Sequence, residues 1–347
     1  MKNEAAGGRG PERPRSTKSH TNNPVRIGLT LVTAALASAV AAPVSAQEAS
    51  ADSAVADATA SEPRLIVLGT GTPNADPDRS GPAVAVVAGG RAYLVDAGPG
   101  IVRRAAAASA RHGIEALAPS GLNRLFLTHL HSDHTVGLPD VIFSPWVLER
   151  PDPILIFGPP GTAYMVEHVQ EAWKEDVHMR LFGLEPHDYN LDAYRSPVTE
   201  TTGGPVYEDE HVRVTAIPVL HGSWPHPLGY RFDALGPDGA PARTIVISGD
   251  ARPSESLVEA CDGCDILVHE VYSAETFKGR PPEWQRYHAD SHTSTVELAD
   301  IATRARPGLL VMYHQLYWGA ADEDLLREIR EAGYTGRVVS AADLDVY

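Results

Sequence analysis

Short apolar runs punctuate this chain, and several of them end on a histidine or an acid. Arg64–Leu68 reads as a strand, and Ala83–Ala88 and Ala92–Val95 read as a hairpin joined by Gly89-Gly90. Arg124–Thr128 reads as a buried strand that runs into His129, and Ile154–Phe157 as another that runs into the turn Gly158–Gly161. Later runs repeat the pattern. Val212–Val219 leads to His221, Thr244–Ile247 to Asp250, Ile266–Val268 to His269 and Glu270, and Leu309–Met312 to His314. Helical patterning covers Ile101–His112, Thr162–Asp176 with Thr162 as its cap, Ser294–Arg304 and Asp322–Ala332. A last strand falls at Arg337–Val339, and residues 177–206 show no clear period. The pattern predicts a mixed α/β fold (α+β in its ordering) with helices laid over sheets. Strand ends are where such layered folds gather their active sites.

The densest chemistry lies in His129-Leu-His-Ser-Asp-His134, directly after a buried strand and before the breakers Gly137 and Pro139. Residues two apart on an extended segment point the same way, so His129 and His131 can grip one ion. Asp133 and His134 fall on the following turn and can reach a second. Imidazole nitrogen and carboxylate oxygen are donors that zinc accepts. No local cluster completes two metal shells, so distant ligands are required, and the later strand ends offer them.

Composition changes the picture at the N-terminus. Basic residues precede an apolar run from Ile27 to Ala42, and Val44-Ser45-Ala46 forms a small-x-small site before Gln47. Residues 1–46 are therefore expected to be a secretory signal peptide, and the Ala/Ser/Asp-rich residues 47–62 a flexible linker. The hydrolase domain is then 63–347, exported to the periplasm or beyond, with no stable membrane span after cleavage. The whole chain carries a formal charge of −16; residues 1–46 hold six Lys/Arg and two Asp/Glu, so the rest carries −20. That surface argues against nucleic acid as a partner, because binding to polyanions draws on clustered basic residues. Cys261 and Cys264 cannot close a four-ligand zinc site by themselves. In an oxidising compartment they could form a small disulfide loop.

These residues resemble the metallo-β-lactamase superfamily over about 64–347: HLHSDH fits its His-x-His-x-Asp-His signature. LGTGTP, VDAGPG, FGPPG, PVLHG, SGD, HE and HTST are similar to the ribonuclease Z-like branch, closest to its exported arylsulfatase-type members. The resemblance implies a four-layer αββα sandwich. It implies that His129, His131 and His221 hold one zinc, that Asp133, His134 and His314 hold another, and that Asp250 bridges them. Manganese or iron could occupy such ligands. It also implies catalytic roles for Asp133 and for a proton-delivering pair, Glu270 and His292, with His288 competing for the place of His292. Trp224, His226 and Tyr230 follow His221 and could line a pocket, while a packed core explains Trp224 and Tyr230 equally well. Asp96 could support the metal loop or simply make a turn.

Two zinc ions about 3.5–4 Å apart can share a hydroxide, which supplies a nucleophile at neutral pH. The main expectation is thus an exported di-zinc hydrolase of small esters, aryl sulfates or phosphate esters, with a homodimer allowed. The alternative is a ribonuclease Z-like phosphodiesterase that processes tRNA 3′ ends. A zinc-binding protein without turnover stands as the reading of another class. Cys261-Asp-Gly-Cys264 does not fit the Cys-x-Pro/Ser-x-Arg segment of the aldehyde-dependent sulfatases, so any sulfatase activity must come from metal.

Overall fold

The computed structural model describes residues 62–186 and 190–347. The expected leader, and the expected linker apart from Glu62, lie outside the described residues. Two sheets form. The first has the order β1 (Arg64–Gly69), β2 (Ala83–Ala88), β3 (Arg91–Val95), β4 (Arg124–Phe126), β5 (Leu155–Gly158) and β6 (Val198–Glu200). The second runs from β7 (Gly204–Glu208) through β8 (Val212–Pro218), β9 (Leu228–Leu235), β10 (Pro241–Ile247), β11 (Ile266–Tyr272) and β12 (Leu309–Leu316) to β13 (Val338–Ser340). The helices in chain order are α1 (Ile101–His112), α2 (Ser132–Thr135), α3 (Leu138–Val147), α4 (Thr162–Ala172), α5 (Lys174–Phe182), α6 (Glu255–Cys261), α7 (Ala274–Phe277), α8 (Pro282–Ser291), α9 (Thr295–Ala305) and α10 (Asp322–Glu331).

Side-chain alternation explains the layering. On β1, Leu65 and Val67 enter the core between the sheets, while Ile66 and Leu68 pack under α1 and α3. On β12, Leu309, Val311 and Tyr313 face the inter-sheet core, while Leu310 and Met312 face α6, α9 and α10. Strands buried on both faces read as continuous apolar runs, and only a helix–sheet–sheet–helix stack buries them so. Phe126 holds the middle, stacked on Phe157 at 4.8 Å between ring centres and edge-on to Tyr230 and Phe232. This is the expected metallo-β-lactamase sandwich.

Strand direction then places the chemistry. β8 and β10 both run antiparallel to β9, and β10, β11 and β12 run parallel to one another. Their C-terminal ends therefore emerge at one edge, carrying His221, Asp250, Glu270 and His314. The exit of β4 is tied to the same edge: the Tyr230 hydroxyl donates to Leu127 O at 2.7 Å, and Leu228 N donates to Thr128 O at 2.8 Å.

Several local expectations change. The helix expected over 162–176 is two helices, α4 and α5, separated at Trp173. Its N-cap is Gly161, at φ 103°, while the Thr162 hydroxyl donates to Pro159 O. β11 and β12 run past their apolar cores, so His269, Glu270 and His314 lie within strands rather than after them. Cys261 and Cys264 form a disulfide across the turn that ends α6. Among the described residues no helix is long and apolar enough to cross a membrane.

Candidate metal centre

The centre grows from the short exit of β4. Asp96, which follows β3, takes φ 63° and accepts from Thr128 N at 2.8 Å and from the Thr128 hydroxyl. It also holds His134 Nδ1 at 2.7 Å. The two uses considered for Asp96 are thus one: its left-handed turn aims a carboxylate that orients a ring of the metal loop. His314 is the extra residue of a β-bulge in β12. Tyr313 pairs with Glu270 and Gln315 with Val271, leaving His314 between them at φ 46°. A bulge breaks side-chain alternation and re-aims what it carries.

Two donor groups result. His129, His131, His221 and Asp250 bring one ligand atom each within 4.8 Å of one another, and Asp133, His134 and His314 do the same. His131 Nδ1 lies 2.9 Å from His129 Nε2 and 3.1 Å from His221 Nε2. Asp250 stands between the groups. Its Oδ2 is 3.9 Å from both His129 Nε2 and His221 Nε2, while its Oδ1 is 3.4 Å from His134 Nε2 and 3.6 Å from His314 Nε2. All seven expected ligands therefore meet.

The donors suit a cation. His134 Nε2 and Asp250 Oδ1 are buried without a hydrogen-bond partner, a condition costing about 1–3 kcal/mol per group. The outer nitrogens are already tied: His129 Nδ1 to Thr128 Oγ1 at 3.0 Å, and His221 Nδ1 to Ser291 O at 2.7 Å. That leaves the inner nitrogens free for metal. An all-nitrogen-and-oxygen set admits zinc, manganese or iron.

Electrostatics divide the centre. Burial pushes His131 down to about 4, with the neighbouring His221 adding to it, and burial likewise lowers His129 and His221. Against the same burial, Asp250 and Asp96 raise His134 well above its ordinary value, and Asp250 raises His314. Asp250 itself is held well below the usual carboxylate range by His314 and His134, despite its burial.

Glu270 and His292 lie beside this pair of groups. His292 Nδ1 is 3.3 Å from Glu270 Oε1 and 4.0 Å from Asp250 Oδ2. Burial, then the charge of Asp250, raises the Glu270 carboxyl well above its usual range, and burial lowers His292 to about 4. His288 is placed differently, its ring 4.5 Å from that of Trp318 and 5.5 Å from that of His292. His269 is buried, with Nδ1 donating to Glu270 O at 2.7 Å.

Two cavities open on the centre. A cleft of about 810 Å³ borders His131 and His221 and is lined by Trp224, Arg252, Arg286 and Tyr287 among others. A smaller one of about 540 Å³ borders Asp133 and is walled by Thr72, Pro73 and Pro77. Trp224 reaches the larger cleft, and its indole N–H donates to His131 Nε2 at 2.8 Å. Tyr230 does not, and the pocket role considered for it is corrected: it is wholly buried between the sheets, its hydroxyl spent on Leu127 O. His226 is exposed on the loop before β9 and is not among the cleft's lining residues. Reading the sequence missed Thr128, Arg252, Arg286, Tyr287 and Ser291. A signal existed for the three on α8, because Pro281-Pro282 is the start that a helix tolerates.

Comparison with known proteins assigns the family. Residues 91–315 match the family model described as the β-lactamase superfamily domain. The chain is 36% identical over 287 residues to ribonuclease Z of Mycobacterium bovis BCG, covering 81% of this chain and 96% of that protein. It is 36% identical over 285 residues to ribonuclease Z of Mycobacterium marinum, with the same coverage. Among solved structures, the metallo-β-lactamase fold protein YhfI of Bacillus subtilis superposes with a TM-score of 0.61 at 16% identity, over 82% of this chain and 99% of that one. The short form of human tRNase Z does so with 0.57 at 21%, over 82% and 98%. These structural likenesses show the fold. The relatives overturn the expectation that nucleic acid is not a partner, since the curated proteins matched over nearly their whole length are ribonucleases. They show no particular closeness to arylsulfatases. The chain belongs to the metallo-β-lactamase superfamily, among the homologues of ribonuclease Z, and is a metal-dependent hydrolase acting on phosphodiester or ester bonds.

Proposed function

We propose that this chain is a ribonuclease Z-type phosphodiesterase that cuts RNA with two metal ions. The observation that carries the reading is Asp250, which presents one oxygen to each donor group. In this reading His129, His131 and His221 would hold one ion, Asp133, His134 and His314 would hold the other, and Asp250 would serve both. When bound, such a pair polarises the substrate oxygen and activates water at neutral pH. The rest falls to the chain. Glu270 Oε1 stands 3.3 Å from His292 Nδ1 and orients the ring. His292 would deliver the proton that the departing oxygen needs, with Glu270 beside the ring to favour its charged form. The Asp96 carboxylate keeps the His134 ring facing inward. Relatives at 36% identity across 96% of their length support RNA as the substrate.

An exported hydrolase of small aryl sulfate or phosphate esters is the second reading. The leader-like pattern of residues 1–46 favours it. One panel separates the two. The metal-quantified full chain should cleave RNA carrying a 3′ extension and should hydrolyse bis(p-nitrophenyl) phosphate. Turnover confined to aryl sulfates and phosphate monoesters would overturn the ribonuclease reading and leave the second.

A further inference from the structure

The two cavities beside the metal centre differ in kind. The one at Asp133 is walled by small and polar residues, prolines, Val136 and a single arginine, Arg79, with no aromatic ring among its lining residues. The one at His131 and His221 carries two rings, Trp224 and Tyr287, and two guanidinium groups, Arg252 and Arg286. The Trp224 ring centre is 5.0 Å from that of His131, and the Tyr287 ring centre is 6.2 Å from that of His292. One ring therefore adjoins a metal-donor side chain, and the other adjoins the proposed acid. Both arginines are exposed, and neither makes an ion pair among the described residues.

The walls are fixed to one another. Gly222 N donates to Asp290 O at 3.0 Å, joining the His221 loop to the end of α8, and Arg252 N donates to Leu220 O at 2.8 Å, joining it to the Asp250 loop. The His221 ring itself is held by Ser291 O. A cleft braced in this way does not have to be ordered when a ligand enters, which saves part of the cost of binding. Glu283 and Asp290 share the rim and offset the arginines. A bare anion thus gains little net attraction there, and a ligand must add contact with the rings.

We propose that this cleft is a nucleotide subsite: Trp224 and Tyr287 receive the face of one nucleobase, and Arg252 and Arg286 receive its flanking phosphate. Base–aromatic stacking accepts any base, because every base has a π-face, and guanidinium groups suit phosphate. The assignment rests on the ribonuclease reading and deepens it. It gives the substrate a direction, with a base-bearing residue on the His131 side and no ring-binding wall on the Asp133 side.

The test is binding to the metal-loaded full chain by calorimetry, with adenosine 5′-monophosphate against ribose 5-phosphate. The nucleotide should bind about tenfold or more tightly than the sugar phosphate, given the usual strength of base stacking. Tyr287→Ala should narrow that gap, leaving what Trp224 alone supplies, and Tyr287→Phe should keep it, which separates the ring from a general loss of structure. Equal binding of the two ligands, or a gap left undiminished by Tyr287→Ala, would overturn the subsite. Phenyl phosphate binding as tightly as the nucleotide would reassign it to aryl esters and overturn the nucleobase assignment. Because nothing need turn over, a chain that shows the gap yet cuts no phosphodiester would keep this subsite and lose the ribonuclease reading.

Discussion

His129 and His221 face one oxygen of Asp250, while His134 and His314 face the other, and the two donor groups to which they belong are made differently. The first is three imidazoles that burial holds neutral, beside an open cleft with aromatic walls. The second carries a carboxylate of its own, with Asp96 behind it, and both of its imidazoles are raised by nearby negative charge. The first group offers neutral nitrogen to an ion and to substrate. The second offers fixed negative charge. The difference teaches that a shared carboxylate can couple two sites whose own electrostatics are opposed.

Removing the coupling should have the largest effect. Asp250→Ala takes a ligand from both groups at once, so elemental analysis should find neither ion retained, and hydrolysis should fall to background. A variant that still holds both ions would break the bridge reading. His292→Ala should leave metal content intact and slow turnover by about 10²–10⁴-fold; an unchanged rate removes His292 from proton delivery.

The neutral imidazoles extend beyond the ligands, and pH probes that property through His269, which burial holds at about 4 against an ordinary 6.5. Its folded-state value is depressed. Stability is therefore complete above about 6.5 and is lost as pH falls toward 4, because the unfolded chain takes up a proton that the folded chain refuses. The group contributes at most roughly 3 kcal/mol over that window. Urea unfolding at stepped pH should show the decline in the wild type and a flatter profile in His269→Gln; parallel profiles would count against it.

Asp96→Asn should weaken metal binding or activity by about 10–100-fold through His134. A competitive chelator titration should show the weakening in one ion and not the other, which sharpens the comparison directly. The smallest effect concerns Trp224. An ion on His131 Nδ1 moves the ring proton to Nε2, where it would meet the indole N–H now donating at 2.8 Å. Two donors cannot share that contact. Metal titration should therefore shift tryptophan fluorescence in the wild type, and Trp224→Phe should lose that component.

Much of the centre was legible because its signals are local. Four metal-competent side chains fall within His129–His134, and His221, Asp250 and His314 each follow an apolar run. Glu270 and His292 came from motif likeness, and the structure puts them 3.3 Å apart. What was hidden depends on tertiary placement. Tyr230 follows His221 closely in sequence, yet β9 carries it into the inter-sheet core, where its hydroxyl meets Leu127 O. Nothing in the one-dimensional pattern marks the bulge at His314, since a strand's register belongs to its partner as much as to itself. The argument from charge against nucleic acid failed because net charge averages the whole surface. Arg252 and Arg286, 34 residues of sequence apart, meet two aromatic rings and two acids at one cleft, an arrangement that a summed charge does not register.

The extra residue at His314 has an evolutionary corollary. A β12 one residue shorter at that point would pair with β11 without interruption, and its ladder would be unbroken. The same deletion would withdraw a ligand from the second group. Catalytically silent descendants that keep the complete architecture are thus a single codon away, and an alignment gap at this position is where to look for them.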